Sequence, residues 1–327
     1  MKKIVTILVI LFSFYCKKAE QTPTESTYAV ALFAMGKIHV GEKEFKTNSI
    51  LKENETLVFE PKSICDLQVG KEEFVFRIKG SATFKLEHLA RPNSKRDWKI
   101  HLTEGKFLAN IPRTIKDNES FETITPTVVV GVRGTHFVVE VEKDGSSKIF
   151  VTEGKTAVSF PKSAFLKPEV FDKLEKFKGK AEIILEKGNV IPITKALIQM
   201  IESAPLDTEE NVITLFLEIK NKFVIVLKPE EITSLENEFK EITPLPQTAF
   251  VDEPTLQKAV TQRIGQQIPA LLNQMAKISQ KKKGTLSLTN GEEIQGIIEQ
   301  NGEMFIIETP LETKQLNSSQ VMEVDYN

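Results

Sequence analysis

Residues 128–160 read VVVGVRGTHFVVEVEKDGSSKIFVTEGKTAVSF, and three features of this stretch set the fold class. Gly131 and Gly134 flank a tight bend at Val132-Arg133, where a residue with a Cβ would be strained. From Thr135 the chain alternates. Thr135, Phe137, Val139 and Val141 face one way, and His136, Val138, Glu140 and Glu142 the other, as successive residues of a strand do. Asp144-Gly145 then supplies hairpin chemistry, and Ile149 and Val151 return along the same layer toward Glu153-Gly154-Lys155. No nucleophile, metal cluster or phosphate cradle lies in the stretch, so it points to a β-rich binding or scaffold module.

Upstream, residues 28–127 continue in short strands and turns. Residues 64–69 and 73–78 alternate with period two, as half-buried strands, and Gly70 and Gly80 punctuate them. Residues 81–89 and 98–102 extend the series around a basic looping segment, 91–96. A weak repeat runs through the region: Met35-Gly36-Lys37-Ile38, Glu104-Gly105-Lys106-Phe107, Glu153-Gly154-Lys155-Thr156 and Lys187-Gly188-Asn189-Val190. Its spacing is too irregular for a fixed-period solenoid, yet a turn glycine recurring between strands predicts sheet layers that share one core. The 21 Phe against 3 Tyr and 1 Trp fit packed sheet interiors.

The N-terminus is not part of that fold. Lys2 and Lys3 precede an apolar run, 4–14, of signal-peptide length, and Cys16 closes it. This resembles a bacterial lipoprotein signal in which Cys16 is lipidated, although Tyr15 stands where a small residue is usual. Residues 1–16 are therefore predicted as a signal peptide and 17–27 as a tether. With Cys16 lipidated, Cys65 has no disulfide partner; it lies in an apolar run and is expected to be a buried small hydrophobe.

After Phe160 the pattern mixes. Residues 165–177, 193–202 and 229–239 have helical spacing, whereas 212–219 and 222–227 look like strands. Residues 256–283 are the best helix candidate, with Gly265 and Pro269 predicting a kink or two shorter helices. Residues 284–326 carry hairpin signals at Asn290-Gly291 and Asn301-Gly302 and resemble an SH3-like or Sm-like small barrel. The predicted organisation is mainly β: a β-domain at 28–160, a mixed α/β segment at 161–250, a kinked helical linker at 251–283 and a small barrel at 284–327.

Residues 121–160 are similar to the core of the FecR domain. The resemblance rests on Thr125-Pro126-Thr127-Val128, Gly131-Val132-Arg133-Gly134-Thr135, His136-Phe137-Val138-Val139 and Val151-Thr152-Glu153-Gly154-Lys155, with a weaker upstream match to about Tyr28. It implies a β-solenoid-like or sandwich-like extracytoplasmic domain that senses or binds partners without catalysis. The best-known members place this domain behind a membrane span and a cytosolic segment that regulates a sigma factor. With only a signal-like stretch ahead of the tether, sigma-factor control is not expected here. Gly131, Val132, Arg133, Gly134, Thr135, Glu153 and Gly154 are expected to build the fold, with Arg133 reaching Glu104 or Glu153. An exposed Arg133 that binds an anionic ligand is the alternative.

For function, a net charge of -2 argues against a nucleic-acid partner. His39, His88, His101 and His136 lack close metal-ligand spacing, and no metal, cofactor or catalytic residue is expected. Glu72-Glu73 and Glu292-Glu293 are adjacent in β-like segments, so each pair faces opposite sides. The expected protein is a non-catalytic component of the cell envelope, facing the periplasm or the outer membrane surface. It is held to the membrane by lipid on Cys16 and binds an envelope protein or other ligand. A sensor passing its ligand state to a membrane protein is the first alternative, and an envelope hydrolase with a site assembled by folding is a distant one.

Overall fold

A computed structural model describes residues 28–72, 74–88, 96–112, 115, 119–132 and 134–327. Cys16, the signal and tether segments and Arg133 lie outside the described residues, as does most of the basic segment 91–96. Among the described residues the strands form a 16-stranded sheet and a separate five-stranded one.

The first part of the large sheet comprises β1 (Tyr28–Met35), β2 (Ile38–Val40), β3 (Lys43–Glu44), β4 (Ile50–Lys52), β5 (Thr56–Phe59), β6 (Ile64–Val69), β7 (Val75–His88) and β8 (Arg96–Asn110). It continues with β9 (Glu119–Ile124), β10 (Val129–Val132), β11 (His136–Val141), β12 (Ser147–Glu153) and β13 (Lys155–Ser159). Helix α1 (Pro168–Lys176) precedes β14 (Ile183–Glu186) and β15 (Asn189–Ile193). Helices α2 (Lys195–Ser203) and α3 (Glu209–Phe223) lead to the two-residue β16 (Ile225–Val226).

The ladders divide these strands into two layers that share β7 and β8. One layer runs β4-β1-β6-β7-β8-β11-β12-β15-β16, the other β3-β2-β5-β7-β8-β9-β10-β13-β14. Residues 75–79 of β7 pair with 106–110 of β8 in the first layer, and residues 83–88 pair with 99–104 in the second. The long β7–β8 ribbon thus bends from one layer into the other. All ladders are antiparallel except β8–β9, which is parallel. Aromatic rings fill the space between the layers: Phe76 and Phe121 lie 5.7 Å apart, Phe84 and Phe107 5.8 Å, and Phe121 and Phe137 6.4 Å. Offset and edge contacts at such distances add to the apolar burial. Between the solenoid-like and sandwich-like expectations, this two-layered arrangement is the sandwich.

The weak Gly repeat has a structural meaning. Gly36 lies between β1 and β2, Gly105 within β8, Gly154 between β12 and β13 and Gly188 between β14 and β15. At each, the chain crosses from one layer to the other. Gly80 is such a crossing too, so it sits inside one long strand, with a register shift, and does not end it. Three crossings require glycine outright, Gly36 (φ +81°) among them, where a Cβ would sit 2.8 Å from Ser63 Cα. A Cβ at Gly105 (φ +107°) would sit 2.5 Å from Ala82 Cβ, and one at Gly154 (φ +78°) 2.5 Å from the Gly134 carbonyl oxygen.

Strand β6 is buried at every position rather than at alternate ones. Cys65 and Leu67 face the interlayer core, while Ile64 joins a second core on the outer face. That second core is built by α4 (Pro229–Lys240), the segment that follows it and α5 (Glu253–Ser279). Buried Leu256, Val260, Ile264, Leu271 and Met275 point α5 onto the first layer. It is one 27-residue helix passing through Gly265 and Pro269, so the two-helix alternative does not hold.

Residues 212–219, expected as a strand, belong to α3. Thr208 caps its N-terminus, Glu209 and Glu210 occupy the first turn, and Val212, Leu215, Phe216 and Ile219 form the buried face. Together α1, α2 and α3 extend the interlayer core beyond β13.

The C-terminal strands β17 (Lys283–Leu288), β18 (Glu293–Asn301), β19 (Met304–Glu308), β20 (Thr313–Asn317) and β21 (Val321–Tyr326) form an antiparallel sheet in the order β20-β19-β18-β17-β21. The expected barrel is not closed, because β20 and β21 stand at opposite edges and do not pair. Neither edge strand has a fully buried residue, and the core of this sheet is Leu286, Leu288, Ile294, Ile298, Phe305 and Ile307, with Leu316, Val321 and Val324 partly buried against it.

Candidate functional site

The residues marked in sequence fall at the end of the sandwich where Gly134 and Gly154 cross. Gly131 and Val132 lie in β10, between Glu122 and Phe121 of β9 and Ala157 and Thr156 of β13. The Thr135 hydroxyl donates to the Lys155 carbonyl at 2.9 Å and is almost fully buried, tying the two crossings together. The Thr152 hydroxyl likewise donates to the His136 carbonyl at 3.1 Å. Glu153 Oε2 lies 3.1 Å from His136 Nδ1, and the imidazole stacks on Phe239 at 5.2 Å. Burial pulls the His136 imidazole below its ordinary value against the attraction of Glu153 and Glu236. A niche of about 270 Å³ adjoins it, lined by Thr152, Glu236 and Lys240. Glu104, the other carboxylate expected near the motif, stands next to Gly105, which pairs with Val141 at the opposite end of β11 from the His136–Glu153 pair.

At the opposite end the Thr125-Pro126-Thr127 turn meets the Asp144-Gly145 hairpin. Thr127 Oγ1 donates to the Gly145 carbonyl at 2.9 Å, and Thr125 Oγ1 accepts from the Val128 N–H at 3.0 Å. Between that junction and the Gly105 crossing opens a cleft of about 810 Å³. Lys79, Lys106, Lys143, Glu104, Glu140 and Asp144 are among its lining residues. Hydrogen bonds from Ser146 hold the Asp144 carboxyl below its ordinary value.

The most elaborate polar arrangement lies on the outer face of the first layer and was not visible in sequence. Arg77 and Asp66 form a fully buried pair, with Nε to Oδ1 at 2.7 Å and Nη2 to Oδ2 at 2.9 Å. Arg77 Nη1 also reaches Glu241 Oε2 at 2.6 Å. Lys79 bonds Glu238, and Lys106 bridges Glu238 at 3.4 Å and Glu140 at 3.2 Å. Burial disfavours the Glu238 carboxylate, yet Lys79 and Lys106 hold it below its ordinary value. Gln68 takes both polar groups of Leu245: Oε1 accepts its N–H at 2.7 Å and Nε2 donates to its carbonyl at 3.0 Å. Alternate polar residues on β6 and β7 read as solvent-facing, so only their partners from a remote segment reveal the role.

Among the described residues no group of three or more His, Cys, Asp or Glu is placed to hold a metal ion, and no helix is long and apolar enough to cross a membrane. Cys65 is buried, and burial pushes its thiol well above its ordinary value.

Fold and site together define a two-layered β-sandwich scaffold, with its motif residues at the crossings and an outer face, part apolar and part charged, covered by the chain itself. Residues 58–157 match the family model described as FecR protein, so the chain carries a FecR domain, and this domain spans β5 to β13. No curated protein matches the chain. Two crystal structures of a candidate anti-sigma factor from Parabacteroides distasonis ATCC 8503 are similar at 15% and 16% identity, with TM-scores of 0.31 and 0.30. Each comparison covers 42% of this chain and 53% of that one, so the likeness spans about half of either and says nothing of function.

Proposed function

We propose that the chain is an exported cell-envelope protein, lipid-anchored through Cys16, which acts by binding in envelope signal transduction rather than by catalysis. The FecR domain at 58–157 supports the envelope and signalling parts of this reading. One observation carries the binding part: the polar side chains of β6, β7 and β8 are arranged to hold the backbone of the irregular stretch after α4 and the carboxylates at the end of that helix. The residues marked by the motif serve the crossings: the Thr135 hydroxyl holds a carbonyl of the next strand, and Gly154 admits the Gly134 carbonyl. The partner is an envelope protein, and the signalling form of the reading has that partner in the membrane.

Labelling cells with a fatty-acid analogue tests the anchor. Label is expected on the wild-type chain and absent from Cys16→Ser; a labelled mutant overturns the lipoprotein assignment. Cross-linking in envelope preparations tests the role. A reproducible membrane-protein adduct supports signalling, and a soluble envelope partner alone supports binding without it.

A further inference from the structure

We propose that the outer face of the first layer is a recognition surface for an acidic peptide of a partner protein, a helix end running on into irregular chain, and that the chain's own residues 238–245 are its resident occupant. This deepens the binding reading above and rests on it.

After α4 the chain runs from Ile242 to Pro246 without helix or strand. It lies on a sheet face yet makes no ladder; side chains read its backbone instead. Gln68 holds the N–H and carbonyl of Leu245, Asn110 Nδ2 donates to the Ile242 carbonyl at 3.3 Å, and Arg263 Nε donates to the Thr243 carbonyl at 3.0 Å. Two carboxylates complete the docking, Glu238 on Lys79 and Lys106, and Glu241 on Arg77. Phe239, Ile242 and Leu245 are buried beside them. Backbone readout tolerates many sequences, as in strand addition to a sheet edge, and the cations and apolar sites supply selectivity. The surface therefore suits a segment whose helical end carries two acids three residues apart and is followed by irregular chain with apolar residues.

The fit of the resident segment is incomplete. Arg263 is only 7% exposed, yet Nη1 and Nη2 donate to no partner, and the Asp66 Oδ2 atom stands 4.0 Å from Nη2. Asn110 Oδ1 is also buried without a partner. Leaving such a group unmet weakens the docked state by about tenfold. A partner segment that offers an acceptor to Arg263 and an N–H to Asn110 recovers that loss. It must also overcome tethering, since a linked occupant competes at an effective concentration on the order of millimolar. The resident segment thus sets a threshold that only a better-matched peptide passes.

The test uses the full chain and a fluorescent peptide of residues 236–246, ENEFKEITPLP. Glu238→Gln with Glu241→Gln weakens the resident segment and leaves the sheet face intact. Fluorescence anisotropy is expected to show the peptide binding this variant at least tenfold more tightly than wild type, and adding Gln68→Leu is expected to reverse the gain. Equal binding to variant and wild type, or indifference to Gln68→Leu, overturns the proposal. Amide exchange on the unaltered chain gives a measure that needs no variant. The Leu245 N–H is expected to exchange at least 100-fold faster than the Leu108 N–H of β8; equal protection makes the segment permanent core and overturns the idea. Purified protein suffices, so failure here leaves the fatty-acid result on Cys16 standing.

Discussion

At the scale of single residues, Gly80 and Gly154 form a natural comparison, since both have φ +78°. A Cβ at Gly80 meets nothing within 4 Å, whereas at Gly154 it meets the Gly134 carbonyl. Gly80→Ala is expected to cost about 1 kcal/mol for backbone strain alone, and Gly154→Ala roughly 3 kcal/mol once overpacking is added. Urea denaturation of the two variants separates the contributions. His136 gives a second expectation at this scale. Burial first, opposed by Glu153 and Glu236, lowers its proton affinity in the fold, and the unfolded imidazole titrates near the ordinary 6.5. As pH falls through that value the unfolded state binds more protons than the folded one, so stability declines until the folded imidazole itself titrates. Thermal melts between pH 7.5 and 5.5 are expected to show a decline that is shallower in His136→Gln.

At the scale of elements, β-rich composition and helical placement compete, and packing decides. The run VITLFLEI at 212–219 suits a strand by side-chain type, yet it folds as the middle of α3. The Thr208 side chain accepts from the Asn211 N–H at 3.2 Å, and four buried residues recur at helical spacing. Tertiary burial along one stripe outweighs a strand preference that is itself context-dependent. Thr208→Ala is expected to cost about 1 kcal/mol, read as a lowered urea midpoint with an unchanged denaturant slope. Thr208→Asp, which keeps a capping oxygen, is expected to retain most of that stability. In α5, Pro269 sits inside the helix without ending it, because apolar contacts with the first layer on both sides of the proline hold the helix in place.

At the scale of the whole molecule, three cores stabilise the described residues. One lies between the sandwich layers, one beneath α5, and one in the C-terminal sheet. The C-terminal sheet contributes Ile297 to the second core and none of the buried residues of the first. Thr47 Oγ1 to the Pro310 carbonyl at 3.2 Å and Lys62 Nζ to the Ser279 carbonyl at 3.3 Å add polar contacts near that junction. A chain ending at Gln280 is therefore expected to keep the main calorimetric transition of the sandwich, with a modest loss in midpoint; collapse of that transition would make the C-terminal sheet part of the same cooperative unit. Much of the architecture was legible in the amino acids. Alternation in 135–141, the Asp144-Gly145 hairpin and the recurring glycines are local consequences of backbone sterics, and they placed strands and turns, whereas the glycines' role as crossings between layers, Gly105 inside a single long strand included, comes from the ladders. Those local features could not show that β6 is buried on both faces, or that Asp66, Gln68 and Arg77 face protein instead of water. Those facts depend on a segment more than 160 residues away in the chain. A period-two pattern reports which side of a strand is polar, and only the tertiary structure decides what that side meets.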